Sequence, residues 1–260
     1  MMLPAMRRAR IIELLRRDGM AALKDMSDAL GVSVSTLRRD VDYLCESGHL
    51  ERTHGGAMLA VNRAQGFEPA ADIAEAIERD AKRAIGHRAA SLLEPGQTVL
   101  FDSGTTTAAA ARAAVARNIP FTAITNDLAI AQVLSVGPAV RTHVTGGFVR
   151  PGSPTLIGTA ALQSVQRLRA DLAFLGTHAL TADTLSDTSI ELAEIKRAIL
   201  AAAERVVLLA DSTKVFSRAL CAFGGTAELS LLITDARIAA TDLATLTALG
   251  VPVDAVPVAP

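Results

Sequence analysis

The stretch Asp102, Ser103, Gly104, Thr105, Thr106 and Thr107 sets a carboxylate, a glycine and four hydroxyls between a short apolar run and an alanine-rich segment. At the end of a strand and the start of a helix such a set suits an anion, because glycine lets the backbone approach closely and the free N–H groups donate to oxygens. Asp102, Glu194 and Lys214 also supply the group types that an aldose-ketose isomerase needs: a base for the proton beside a carbonyl, and a group for the enediolate oxygen. An ordinary strand-to-helix turn with threonine caps would carry the same residues.

Three further stretches share this position relative to the elements around them. They are Thr125-Asn126-Asp127, Thr145-Gly146-Gly147 and Ala210 to Lys214, where Lys214 offers a mobile point charge for a phosphate or carboxylate. Short apolar runs at Thr98 to Phe101, Phe121 to Ile124, Thr142 to Val144, Leu172 to Leu175, Val206 to Leu209 and Leu229 to Ile233 read as strands. Helical patterns alternate with them at Thr106 to Ala116, Leu128 to Leu134, Ala160 to Arg167, Ile190 to Ala203 and Asp242 to Leu249. This rhythm predicts a mostly parallel α/β sheet whose polar loops gather at one mouth. One helix, from Ala71 to Leu93, is expected ahead of it.

The first sixty residues read differently. A helix over Met6 to Leu15 and a second over Leu23 to Leu30, with Met26, Ala29 and Leu30 inward and Gly31 ending it, precede a third that Ser33 caps. In the third, Leu37, Val41 and Leu44 share one face, while Ser35, Thr36, Arg38 and Arg39 fall largely outside it. Two helices and a short turn, with hydroxyls and arginines presented by the second, have the layout of a helix-turn-helix reader, and His54-Gly55-Gly56 marks a hairpin wing. The predicted organisation is a winged helix-turn-helix domain over 1–60, a linker over 61–70 and an α/β effector domain over 71–260.

Composition narrows the classes. A net charge of −1, no Trp and 3% aromatic residues exclude a base-stacking surface for single strands, although a local patch can still hold duplex DNA. No apolar stretch is long enough to cross a bilayer, and no signal peptide opens the chain, so a cytoplasmic protein without membrane attachment is expected. Cys45 and Cys221 belong to no C-x-x-C motif, and the five histidines lack ligand spacing; neither a metal nor a cofactor is expected.

The segment VSVSTLRRDVDYLCESGHLERTHGGAML resembles the DNA-binding domain of the DeoR family of bacterial transcription regulators, through V-S-x-x-T-x-R-R-D and the H-G-G-A of the wing. The resemblance implies that Ser33, Ser35, Thr36, Arg38, Arg39 and His54 meet double-stranded operator DNA. Asp40 matches too, but a carboxylate repels phosphate, so it is read as structural, orienting a neighbouring arginine. The rest of the chain resembles the family's effector domain, whose fold is similar to ribose-5-phosphate isomerases and CoA transferases. The matching positions are D-S-G-T-T-T at Asp102 to Thr107, T-N-D at Thr125 to Asp127, Gly146-Gly147, E-I-K-R-A at Glu194 to Ala198 and D-S-T-K at Asp211 to Lys214.

The resemblance further implies a repressor of carbohydrate or polyol genes, a homodimer or homotetramer, that keeps a sugar-phosphate pocket as a sensor and has lost catalysis. Its phosphorylated sugar or polyol effector would meet Asp102, Ser103, Gly104, Thr105, Thr106, Thr107, Asn126, Asp127, Gly146, Gly147, His178, Glu194 and Lys214. The loop after Phe174-Leu175-Gly176 departs from the glycine-rich family pattern, with Thr177, His178, Asp187 and Thr188 there instead, and is expected to help select the effector. The competing reading is an isomerase-like enzyme with an accessory DNA-binding module. An architectural scaffold that ignores metabolites is the third.

Overall fold

The computed structural model describes residues 2–60 and 71–258, so the linker expected at 61–70 lies outside the described residues. Contacts divide the chain into two units, Met1–Arg79 and Asp80–Pro260.

The first unit holds α1 (Pro4–Asp18), β1 (Met20–Ala22), α2 (Leu23–Leu30), α3 (Val34–Glu46), β2 (Leu50–Thr53), β3 (Gly56–Leu59) and α4 (Ala71–Ala76). Ile11, Ile12 and Leu15 of α1, Met26 of α2, and Leu37, Val41 and Leu44 of α3 form its core. The α2 stripe is Leu23, Met26 and Ser27 rather than one containing Ala29, which is exposed. The wing has three strands in the order β1-β3-β2, with β1 added antiparallel to the expected hairpin. The helix expected from Ala71 to Leu93 is broken. Glu78 takes a φ of 53°, and its N–H donates to Glu13 Oε1 at 2.8 Å. Ile73 and Ile77 join the first core, and α4 packs with α1.

The second unit begins with α5 (Arg79–Ala90), β4 (Thr98–Phe101), α6 (Thr105–Ala116), β5 (Phe121–Thr125), α7 (Leu128–Ser135), β6 (Val140–Val144), β7 (Phe148–Val149), β8 (Leu156–Ile157) and α8 (Thr159–Gln166). It continues with β9 (Ala170–Gly176), β10 (Ala179–Leu180), β11 (Thr184–Asp187), α9 (Ile190–Ala202), β12 (Ala203–Leu209), β13 (Cys221–Gly225), β14 (Leu231–Asp235), α10 (Ala240–Ala248) and β15 (Val253–Val256). Seven strands form one sheet in the order β15-β14-β12-β9-β4-β5-β6, parallel throughout. The period of two sends Val99, Phe101, Leu172 and Phe174 to one face, under α5, α6 and α7. Leu100, Ala173, Leu175 and Leu208 go to the other, under α8 and α9. Buried on both faces, the central strands read as nearly continuous apolar runs.

The strand order fixes where a ligand would enter. The chain runs outward from β4 through β5 to β6, then returns to lay β9 on the other side of β4 and continues through β12 to β15. The carboxyl ends of β4 and β9 therefore bound the point at which the winding reverses, the place where open α/β sheets bind ligands. Asp102 follows one of these strands and Gly176 ends the other.

In the first unit one carboxylate joins two elements. The Asp40 side chain, 4% exposed, accepts from Arg7 Nε and from Arg8 Nε at 3.1 Å, tying α3 to α1. Asp40 is thus structural, and its arginines come from the first helix rather than from Arg38 or Arg39. Removing one partner of a fully buried pair costs about 3–5 kcal/mol. Because Arg7 and Arg8 keep some access to water, Asp40→Ala is expected to cost about 2 kcal/mol, read as an earlier urea midpoint for the first unit.

Candidate functional site

The first candidate site is the start of α3. Ser33 Oγ accepts the Thr36 N–H at 3.2 Å and lies 3.0 Å from Ser35 Oγ and 2.9 Å from Thr36 Oγ1, so the helix begins in a knot of three hydroxyls. Ser33, Ser35, Arg38 and Arg39 are exposed and Thr36 is half-buried. Among the described residues neither Arg38 nor Arg39 has an ion-pair partner. Neighbouring arginines are engaged: Arg8 stacks 3.5 Å from the Tyr43 ring centroid, and Arg52 of the wing pairs with Asp42. His54 is exposed at the tip of the wing. A helix start with donors and two uncommitted guanidiniums on one surface is suited to phosphate oxygens and base edges.

The second candidate site is the mouth of the seven-stranded sheet. Its fixed point is Lys196, which lies in the E-I-K-R-A motif but is not among the expected effector residues. The Lys196 ammonium, 4% exposed, donates to Asp102 Oδ2 and to Gly176 O at 2.9 Å, and lies 3.4 Å from Asp187 Oδ2. Asp102 Oδ2 also accepts the Gly176 N–H at 3.0 Å. Burial works against the lysine's charge, but Asp102 and Asp187 outweigh it and raise its pKa, so the cluster holds an ammonium. Burial raises the Asp102 pKa, while Lys196 and the Gly176 N–H pull the other way.

Other candidates follow the carboxyl ends of the parallel strands. Gly104, at φ 122°, forms the turn that starts α6 without a side-chain cap, and Thr105 and Thr106 are half-buried at that start. Thr107 is turned inward, donating to Gly104 O at 2.8 Å. Ser103, Asn126 and Asp127 are buried. Asp127 Oδ1 caps α7, accepting from Ala129 N at 2.9 Å and Ile130 N at 3.0 Å, and the Gly104 N–H and Thr155 hydroxyl also reach this carboxylate. Gly146 and Gly147 are exposed after β6; a Cβ on Gly147 would stand 2.6 Å from Ile157 O, so its glycine serves packing. His178 is half-buried directly after β9. Lys214 is half-buried too, in a short turn that Asp211 caps through Thr213.

Glu194 does not join them. It is exposed and lines a cavity of about 440 Å³ with Leu162, Gln166, Arg169 and Arg197, between α8 and α9. Two residues along α9, Lys196 points the opposite way, because a helix turns by about 100° per residue. The signal for Lys196 was present in the sequence: Leu192, Lys196 and Ile199 share i, i+4, i+7 spacing, and a lysine within an apolar stripe demands a buried partner.

The profile of the DeoR C terminal sensor domain matches residues 77–236, and that of the DeoR-like helix-turn-helix domain matches residues 7–63. The chain belongs to the DeoR family. It is a transcriptional regulator with a helix-turn-helix DNA reader and a sensor domain. The HTH-type transcriptional regulator GlpR of Haloferax volcanii is 35% identical over 97% of this chain and 98% of its own. The glycerol-3-phosphate regulon repressor of Escherichia coli is 30% identical over 87% of this chain and 88% of its own. Ribose 5-phosphate isomerase A of Methanocaldococcus jannaschii aligns with a TM-score of 0.41 at 14% identity, over 53% of this chain and 55% of that one. No helix among the described residues of this DeoR-family chain is long and apolar enough to cross a membrane.

Two measurements check these buried contacts. Lys196→Met leaves Asp102 and Asp187 buried without their cation, an expected cost of about 3–5 kcal/mol read in urea melts. The second concerns Asp127, whose pKa burial raises against its capping N–H groups. The folded state binds this proton more tightly than the unfolded one, so between the ordinary and the raised pKa stability falls as pH rises. Relative to Asp127→Asn, which keeps a capping oxygen without charge, the native protein is expected to gain stability on acidification through that window. Asp127→Ala is expected to lose about 1 kcal/mol with the cap.

Proposed function

We propose that this protein is a repressor of carbohydrate or polyol genes whose grip on operator DNA is set by a phosphorylated sugar or polyol bound at the sheet mouth. The carrying observation is the pairing, in one chain, of an exposed hydroxyl and arginine surface on α3 with an anion-suited helix start at a winding reversal. Similarity to a glycerol-3-phosphate regulon repressor supports a phosphorylated ligand. The loss of catalysis is supported by the fates of two groups an isomerase would use. Asp102 is ion-paired to Lys196, and Glu194 lies in the α8 and α9 cavity.

In this reading Ser33, Ser35, Thr36, Arg38, Arg39 and His54 meet the duplex, and a homodimer or homotetramer sets two such surfaces on successive half-sites. Effector binding changes operator affinity only by as much as it favours one conformation over the other.

Binding of the full chain to its own upstream DNA, measured by fluorescence anisotropy at several salt concentrations, tests the DNA half. Arg38→Ala and Arg39→Ala are each expected to weaken binding about tenfold or more. An arginine that neutralises a phosphate also lowers the log-log salt slope by about 0.9. Unchanged affinity in both variants would sink the assignment of α3 as the reader. A panel of sugar and polyol phosphates in the same assay tests the sensor half: one of them is expected to shift operator affinity, and turnover of an aldose or ketose phosphate would favour the enzyme instead.

A further inference from the structure

Two buried oxygens at the sheet mouth lack a donor, Asp102 Oδ1 and Asn126 Oδ1. Their residues are only 1% and 2% exposed. Both come directly after the last register pair of β4 and β5, Phe101 with Thr125, so they leave adjacent strands at the same end of the sheet. Asn126 cannot relieve itself by turning its amide: Nδ2 donates to Leu156 O at 3.5 Å, and the turned group would set two acceptors together. The other oxygen of Asp102 is already taken by Lys196 and the Gly176 N–H.

Buried acceptors in folded proteins are almost always paired, and two neighbouring exceptions call for donors that arrive from outside. The Lys196 ammonium beside Asp102 repels a metal ion from that place. Hydroxyl groups supply donors without charge. We propose that Asp102 Oδ1 and Asn126 Oδ1 form a hydroxyl reader that accepts from two hydroxyls of the effector and rejects analogues lacking either. The assignment rests on the sugar- or polyol-phosphate reading above, with the start of α6 taking the phosphate.

The full chain is titrated calorimetrically with triose to hexose phosphates and the matching polyol phosphates, with single deoxy analogues of each binder, with the unphosphorylated parents and with inorganic phosphate. A binder is expected to lose about 100-fold or more in affinity when a hydroxyl facing the pair is removed. Asn126→Ala, its fold checked by circular dichroism, is expected to bind one such analogue as well as the parent. If every deoxy analogue binds like its parent, the hydroxyl reader is overturned, ordered water satisfies the pair and the effector reading stands. If unphosphorylated polyols show the discrimination and phosphate adds nothing, the reader stands and the phosphate reading falls. If nothing binds while operator binding is intact, both fall.

Discussion

A buried ammonium must find anions, and in this protein the demand of Lys196 is met from three directions. Asp102 comes from the end of β4, Asp187 from the end of β11 and the Gly176 carbonyl from the end of β9. A lone charge at this depth would be prohibitively costly, so the strands that deliver these oxygens and the helix that delivers the lysine are held in one arrangement. The loop that starts α6 inherits its position from this cluster, because Asp102 immediately precedes it. The mouth of the sheet is therefore built around an ion pair that serves as its frame.

The first unit uses the same device with different parts. Asp40 sits on α3 yet faces inward, where Arg7 and Arg8 of α1 hold it. The inward carboxylate and the outward arginines, Arg38 and Arg39, are neighbours in sequence and have opposite duties. One sets the orientation of α3 against α1, and the others are left without ion partners among the described residues. A surface that must meet a polyanion benefits from cations that no local carboxylate neutralises.

Most of the architecture was legible because its signals are local. The strands β4, β5, β9 and β12 and the helices α6, α7, α8 and α9 declare themselves by apolar runs and helical spacing. The elements that went unread, β1, β7, β8, β10, β11 and β13, are two to five residues long and carry no period of their own; they exist because a partner strand lies beside them. The break at Ile77 and Glu78 was hidden for a similar reason. Ile73 and Ile77 suit a continuous helix equally well, and only their burial in the first core takes α4 away from α5.

From the order of residues alone come the two-part organisation, the parallel sheet, the hydroxyl and arginine face of α3 and the gathering of polar loops at one sheet end. All of these derive from periodicities of two or 3.6 residues and from turn chemistry. Tertiary structure decided which charges meet. Lys196 reaches Asp102 across 94 residues, and Arg7 reaches Asp40 across 33, separations over which no repeating pattern carries information. It also decided that Glu194 faces a different cavity and that Thr107 turns inward. Periodicity assigns a side chain to a face, but strand order and helix packing determine what that face meets.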